Sequence, residues 1–459
     1  MKELLLLSGL GVLALVSGLL NLRKIMMPLV LTGLLANIGF CIYDWNSNEL
    51  VYNMLMMDNF ALAFSIIFSA TAFLWFISAK DYFADDNNFS DHYALVLFTL
   101  TGGLLLVSFT NMVMLFLGIE ILSIPLFVLV GSHKTKLRSN EAAFKYFLLG
   151  SFASAFMLFG ITLIYGITGS FNTQAIAVFL SQAGTVHALV FAGMLCILMS
   201  LAFKVSAAPF HFWAPDVYQG APTHITAYMS TVVKTVAFAA FFRVFQTSFG
   251  AMQEDYMLAL AIMSAVTLLV SNITAAVQEN VKRMLAYSSI SHAGFMLITV
   301  LTIRTHSAGI LLYYAMVYSI SSICAFAVLK QVKIHSGGRE MISTFKGLLV
   351  RNKLMAFSMS LALLSMSGIP PLAGFMAKYM VFVAAINNDY LWLAVVGVIA
   401  SLIAVFYYFK IIIVMFGNTP DDIDNSTIIL PAHIRIVLVI CCIGMLLLAV
   451  MPDILLTIL

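Results

Sequence analysis

The sequence predicts an all-α fold, a polytopic transmembrane bundle of about fourteen helices with two inverted five-helix repeats that contain broken helices. Three observations predict it. Of 459 residues, 62% are hydrophobic and 9% are charged, whereas soluble domains carry about 25% charged residues. So few charges cannot cover a water-soluble surface, and lipid must be the solvent for most of the chain. The apolar stretches have helical length, without the ~10-residue alternation of barrel strands. Prolines also interrupt two of these stretches close to lysines.

A bilayer core needs ~20 apolar residues per helix. By that measure the spans run approximately 3–20, 25–43, 58–79, 92–110, 111–131, 141–166, 186–214, 221–247, 256–278, 282–303, 306–331, 354–386, 391–416 and 433–457. The first follows Met-Lys-Glu without a convincing cleavage pattern, so it reads as a span rather than a signal peptide. The 354–386 stretch is too long for one straight helix and contains Gly368-Ile-Pro-Pro-Leu-Ala-Gly374, which predicts a break. The organisation that follows is three helices over 1–91, a first five-helix repeat over 92–247, a second, inverted one over 256–416, and a last helix over 433–459. Lysine and arginine fix the orientation. With the N-terminus outside, seventeen of the 23 fall at inner loops and helix ends, including Lys282, and only Lys2, Arg243 and Arg304 fall outside. Both termini then face the periplasmic side of a bacterial inner membrane.

Three lysines are left over, Lys204, Lys234 and Lys378, all deep in spans, and Glu120 is equally deep. An ionisable group at a bilayer centre costs ~2.5–3.5 kcal/mol on insertion scales. Lys234 lies midway along its span, and Glu120 has too short a stem to reach the headgroups. The bland reading is a buried Glu–Lys pair that locks helices together, but it leaves two lysines without carboxylates. An ammonium taken out of water without a counter-ion gives up its proton readily, which is the property a proton carrier needs.

Two of these lysines lie beside the breaks. Pro209 follows Lys204 by five residues and frees the carbonyl of Val205, while Pro370 and Pro371 free those of Met366 and Ser367 shortly before Lys378. In lipid, freed carbonyls are tolerated where protein or water satisfies them, and paired interruptions in two halves of a transporter point to its site. Lys204 occupies the fourth span of the first repeat and Lys378 the fourth span of the second. That correspondence predicts two half-channels, one opening to each side, joined through Lys234.

These residues carry a resemblance. Lys204-Val-Ser-Ala-Ala-Pro209-Phe-His-Phe-Trp-Ala-Pro-Asp216-Val-Tyr-Gln-Gly-Ala-Pro222, Gly118-Ile-Glu120-Ile-Leu-Ser, Val232-Val-Lys234, Lys282-Arg-Met-Leu-Ala-Tyr-Ser-Ser-Ile-Ser-His292-Ala-Gly294 and Gly368-Ile-Pro-Pro-Leu-Ala-Gly-Phe-Met-Ala-Lys378 resemble the antiporter-like membrane subunits of respiratory complex I. Within that family the chain is most similar to the subunit N type of NADH:quinone oxidoreductase. The resemblance covers nearly the whole chain. It implies a proton-translocating subunit without redox cofactors, with NADH, flavin, iron–sulfur clusters and quinone handled by partner subunits. It implies that Glu120 pairs with and tunes Lys204, that Lys234 is the central relay, and that Lys378 exchanges protons with the far side. His224 departs from the pattern, standing where an apolar residue or proline is expected.

Other features read more plainly. His292 is a further relay candidate, equally well read as a packing histidine. His211 and Asp216 read as loop residues shaping the inner mouth, and Arg304 with His306 as interfacial. Asp421-Asp422-Ile-Asp424 reads as a solvated loop, short of the oxygen ligands calcium needs. Five cysteines sit in apolar runs and read as packing residues, with no metal or cofactor ligand set implied. Gly9-Leu-Gly11 lies inside a span and is no dinucleotide fingerprint, and nothing suggests nucleic acid. The expected partners are other membrane subunits of complex I and the lipid bilayer. The competing readings are a subunit of a multi-protein sodium/proton antiporter or of a membrane-bound hydrogenase, and a non-pumping scaffold.

Overall fold

The computed structural model describes residues 1–20, 22–84, 88–182, 187–302, 307–417 and 427–459. Arg304, His306 and the 421–424 acidic run lie outside the described residues.

In chain order the helices are α1 (Lys2–Leu19), α2 (Arg23–Tyr43), α3 (Asn59–Ser78), α4 (Lys80–Ala84), α5 (Phe89–Ser108), α6 (Met112–Val130) and α7 (Leu137–Thr168). The middle of the chain adds α8 (Thr173–Gln182), α9 (Ala188–Val205), α10 (Trp213–Gly220), α11 (Thr223–Tyr228), α12 (Lys234–Thr247), α13 (Gln253–Ala276) and α14 (Val281–Leu301). The last are α15 (Ser307–His335), α16 (Leu348–Arg351), α17 (Lys353–Ser367), α18 (Ala373–Ile386), α19 (Leu391–Phe416), α20 (Ala432–Val450) and α21 (Asp453–Leu456). Among the described residues thirteen helical segments are long and apolar enough to cross a membrane, and the shorter α17 and α18 together supply a fourteenth apolar stretch. Besides the short helices α4 and α16, a hairpin and a further helix lie outside the expected spans. A hairpin pairs Glu49–Val51 with Leu55–Met57, and α8 fills part of the link between the sixth and seventh spans.

Polar caps set where the helices begin. Asp58 accepts from Ala61 N at 2.8 Å, Asn111 from Val113 N at 2.9 Å, Asn280 from Arg283 N at 3.0 Å and Asn352 from Met355 N at 3.0 Å. Each takes up one of the orphan donors that a helix start leaves.

The packing repeats. In the first unit α5 lies on α6, α7 on α9, and α5 on α12; in the second α13 lies on α14, α15 on α17, and α13 on α19. First with second, third with fourth and first with fifth are neighbours in both. The span Thr223–Thr247 is interior along all but its last two residues, and α14 and α15 are nearly so. By contrast α1, α2, α7, α19 and α20 turn large apolar side chains outward, such as Phe152 and Leu402, as a lipid-facing rim should.

Two basic residues lie deeper than their place in the sequence suggests. Arg243, expected at the outer rim, is 3% exposed; its guanidinium donates to Asp58, the same carboxylate that caps α3, and stands over the Phe60 ring at 5.1 Å. Lys282, expected at an inner helix end, is fully buried. It donates to Gln219 O at 3.1 Å and to Ala221 O, carbonyls left open where α10 ends. A cation belongs there, because a helix C-terminus carries partial negative charge.

Breaking a buried ion pair strands the remaining charge at a cost of about 3–5 kcal/mol. Arg243→Ala and Asp58→Ala are each expected to lower the thermal unfolding midpoint in detergent, and joint replacement by apolar residues to recover part of the loss. Equal midpoints for wild type and both single variants would show the pair to be inert.

Candidate functional site: a buried lysine and hydroxyl network

The two breaks have the same backbone plan. Ser206 ends α9 and Gly368 ends α17, both in the left-handed region with φ of 64° and 83°. Three residues after each comes a cis X–Pro bond, at Ala208–Pro209 and Pro370–Pro371. In that register Lys204 stands opposite Met366, and Lys378 stands opposite Asp216. The lysines therefore share equivalent spans but occupy opposite halves of them.

At the first break the Lys204 ammonium donates to Ser123 Oγ at 2.6 Å and to Tyr146 OH at 3.3 Å. The Tyr146 ring stacks on Trp213 at 4.7 Å, whose Nε1 donates to Phe203 O at 3.0 Å. Thr267 Oγ1 accepts from Ala208 N at 2.8 Å. Broken-helix backbone is thus satisfied by side chains, as lipid requires. Glu120 lies one turn before Ser123 on α6. The direct Glu120–Lys204 ion pair that the resemblance implies is absent among the described residues. One carboxylate oxygen of Glu120 is buried without a hydrogen-bond partner, and Ser123 stands where the carboxylate was expected.

A cavity between the N-terminal part of α7 and α10 is lined by Arg138, Glu141, Lys145, Asp216 and Gln219 among others. Asp216, expected in a loop, sits in α10. It binds Lys145 at 3.0 Å and Arg283 at 2.8 Å. His211 lies in the break itself, 5% exposed, with Nδ1 unpartnered.

Lys234 follows a π-helical turn over Met229–Val233, a local re-phasing that is common at functional sites. Its ammonium donates to both the carbonyl and the hydroxyl oxygen of Ser289, each at 2.6 Å. The Tyr218 hydroxyl lies near both Ser289 and Ser206, and the Ser206 hydroxyl itself is buried without a hydrogen-bond partner. Tyr318 turns its hydroxyl toward Ser289, Ser322 and Ser230.

From Lys234 the polar line runs on along α14. Ser288, beside Ser289, bonds Tyr408 OH. Tyr408 OH lies 3.5 Å from His292 Nε2, and Tyr314 OH lies 2.8 Å from His292 Nδ1. A small cavity lined by His292, Tyr314, Tyr318, Ser321, Ser365 and Ala377 follows. Beside it, Lys378 donates to Ser367 O at 2.8 Å and Ser401 Oγ at 3.3 Å, with its ammonium 4.8 Å over the Phe295 ring. Ser367 O is one of the carbonyls that the proline pair was expected to free.

All three deep lysines are therefore buried and hydrogen-bonded to oxygen, none of them to a carboxylate among the described residues. His292 falls within the same network. Ser289, Tyr218, Tyr318 and Tyr408 were not singled out by sequence. The one available signal was the hydroxyl-rich run Tyr287-Ser-Ser-Ile-Ser291.

The second break depends on Gly374, where a Cβ would collide with the Ser365 carbonyl. Gly374→Ala is expected to force α17 and α18 apart and lower the thermal midpoint by an overpacking penalty of about 1–3 kcal/mol. Gly39→Ala, with nothing within 4 Å, should leave it unchanged or slightly raised.

The family described as "NADH:quinone oxidoreductase/Mrp antiporter, TM" matches residues 110–404, which include both breaks and all three lysines. The NADH-quinone oxidoreductase subunit N of Cytophaga hutchinsonii is 43% identical over 100% of this chain and 99% of its own length. A chain of respiratory complex I from Thermus thermophilus with bound aureothin is similar with a TM-score of 0.85 and 29% identity, over 99% of this chain and 98% of that one. A chain of the Mrp complex from a Dietzia species has a TM-score of 0.87 at 18% identity, over 100% and 96%, a likeness of fold alone.

Proposed function

The chain belongs to the NADH:quinone oxidoreductase/Mrp antiporter transmembrane family, and we infer that it is the subunit N type membrane component of an NADH:quinone oxidoreductase, moving protons through its buried lysines. The carrying observation is the network itself. Among the described residues three ammonium groups with no carboxylate hydrogen bond each rest on a hydroxyl, Lys204 on Ser123 and Tyr146, Lys234 on Ser289 and Lys378 on Ser401, and Ser288, Tyr408 and His292 extend the polar line from Lys234.

Each element of that line has a chemical part. A desolvated ammonium sheds its proton readily. Hydroxyls and a neutral imidazole both accept and donate, so they pass a proton without holding net charge. Ionisable residues deep in membrane spans mark such relays. Glu120, with an unpartnered oxygen one turn from Ser123, biases the charge on Lys204 through space rather than by a hydrogen bond. Redox energy from NADH oxidation and quinone reduction in partner subunits arrives as a shift in this first pair. NADH, flavin, iron–sulfur clusters and quinone belong to those partners. Lys204 is loaded from the inner mouth at Asp216, and Lys378 discharges to the outer side. Residues 92–247 and 256–416 act as inverted half-channels, and both termini face outward.

The antiporter and hydrogenase readings have less support. The relative identical at 43% over its whole length is a subunit N, whereas the Mrp likeness rests on fold.

Two variants of the assembled complex test the relay. Lys234→Met is expected to abolish this subunit's share of pumping, read as fewer protons moved per NADH oxidised. An unchanged ratio would leave only the scaffold role. Ser289→Ala removes a hydrogen bond to a charged group, about 1.5–3 kcal/mol, and is expected to slow proton transfer about tenfold or more with assembly intact. Glu120→Gln should slow quinone-coupled turnover while the complex still assembles; full turnover would remove Glu120 from the mechanism.

A further inference from the structure

Three of the chain's nine histidines meet in a cavity that the proton line does not use. His92 comes from α5, His133 from the link between α6 and α7, and His224 from α11; Tyr82, Ser132 and Lys330 line it with them. These residues sit on the lysine-rich side of the bundle, away from the mouth at Asp216. Tyr82 joins the group. Its hydroxyl lies 3.0 Å from His92 Nδ1 and 3.2 Å from Ser132 Oγ, and its ring centroid lies 3.7 Å from that of His224.

His224 marks the deep end. It is 9% exposed, and its Nε2 has no hydrogen-bond partner among the described residues. Its backbone is fixed, since Trp75 Nε1 donates to its carbonyl at 2.7 Å. A buried polar atom left open costs free energy unless water or a transferable proton serves it. His224 also begins the interior span that carries Lys234. One turn further on, Tyr228 OH lies 2.5 Å from Thr99 Oγ1. Ser230 then faces Tyr318, which also faces Ser289, the partner of Lys234.

We propose that this cavity is a second inner mouth, a vestibule in which His92 and His224, bridged by Tyr82, take protons from the inner aqueous phase and pass them toward Lys234. The inference rests on the relay reading of Lys234. Only N–H and O–H bonds change. A proton adds to one imidazole, another leaves from the far nitrogen or through the Tyr82 hydroxyl, and each group returns to neutral.

The charges around the cavity suit a site that relays protons without storing them. Asp81 is its one lining carboxylate among the described residues, and it is engaged by His433 at 3.3 Å and Lys330 at 4.0 Å. Burial, and behind it Lys136, Lys333, Lys282 and His92, holds the His133 imidazole down at about 4. At neutral pH that ring is uncharged and can act as an acceptor.

The test uses inverted membrane vesicles carrying the assembled complex, so that the inner face meets the added buffer. His224→Ala is expected to slow NADH-driven proton uptake severalfold, with the deficit growing as pH rises and protons become scarce, and imidazole added outside the vesicles is expected to restore the rate. His224→Phe keeps an aromatic ring against Tyr82 and Trp75, so it folds; it should show the same deficit without rescue. Full uptake in His224→Phe overturns the proposal. A deficit in His224→Ala that is equal at every pH and indifferent to imidazole overturns it as well, because that is the mark of a packing role. Lys234→Met, measured in parallel, separates the two ideas. Uptake lost there but intact in the His224 variants sinks only the vestibule, whereas uptake intact in Lys234→Met sinks the relay.

Discussion

The structure is governed by the need to keep ammonium groups hydrogen-bonded where there is neither bulk water nor a counter-ion. In lipid an unsatisfied polar group costs several kcal/mol, and a charged one more. Every deep lysine here meets that need with neutral oxygens: Ser123 and Tyr146 for Lys204, the two oxygens of Ser289 for Lys234, and Ser367 O with Ser401 for Lys378. A carboxylate would fix the charge in place, whereas a hydroxyl stabilises the ammonium and can also receive its proton.

That requirement explains the helix breaks. An intact helix spends its carbonyls on its own ladder and has none to offer a lysine. The proline turns free them, and Ser367 O is taken up by Lys378; at the first break Trp213 adds a side-chain donor to Phe203 O. Gly374 lets the two half-helices of the second break touch. The π turn before Lys234 serves the same end by aiming its side chain at Ser289. Aromatic rings close the surroundings: Tyr146 on Trp213 at the first lysine, Phe295 beneath the third.

The two repeats share a backbone plan but not a charge plan. Left-handed caps and cis prolines superpose, while a lysine in one half lies opposite a methionine or an aspartate in the other. The charges set the two breaks apart: Asp216 is salt-bridged to Lys145 and Arg283, whereas Lys378 has no carboxylate hydrogen bond among the described residues. Cations hold the first break in place, with Arg283 and Lys145 gripping Asp216 and Lys282 sealing the end of α10.

Composition and apolar run length alone determined the class, the number of crossings and the depth of Lys204, Lys234, Lys378 and Glu120, because a bilayer reads hydrophobicity and length directly. Proline chemistry alone located both breaks, since a missing N–H is a local fact. Tertiary packing decided the rest. Ser289, Tyr218, Tyr318 and Tyr408 are ordinary helix residues until interhelical geometry brings their hydroxyls together. Arg243 and Lys282 occupy positions that read as surface, and only the neighbours Asp58 and Ala221 O show why they are buried. His92 and His224 lie far apart in the chain and meet only because α5 and α11 pack around Tyr82. A hydrogen bond between helices depends on rotation and register, and no single span carries that information.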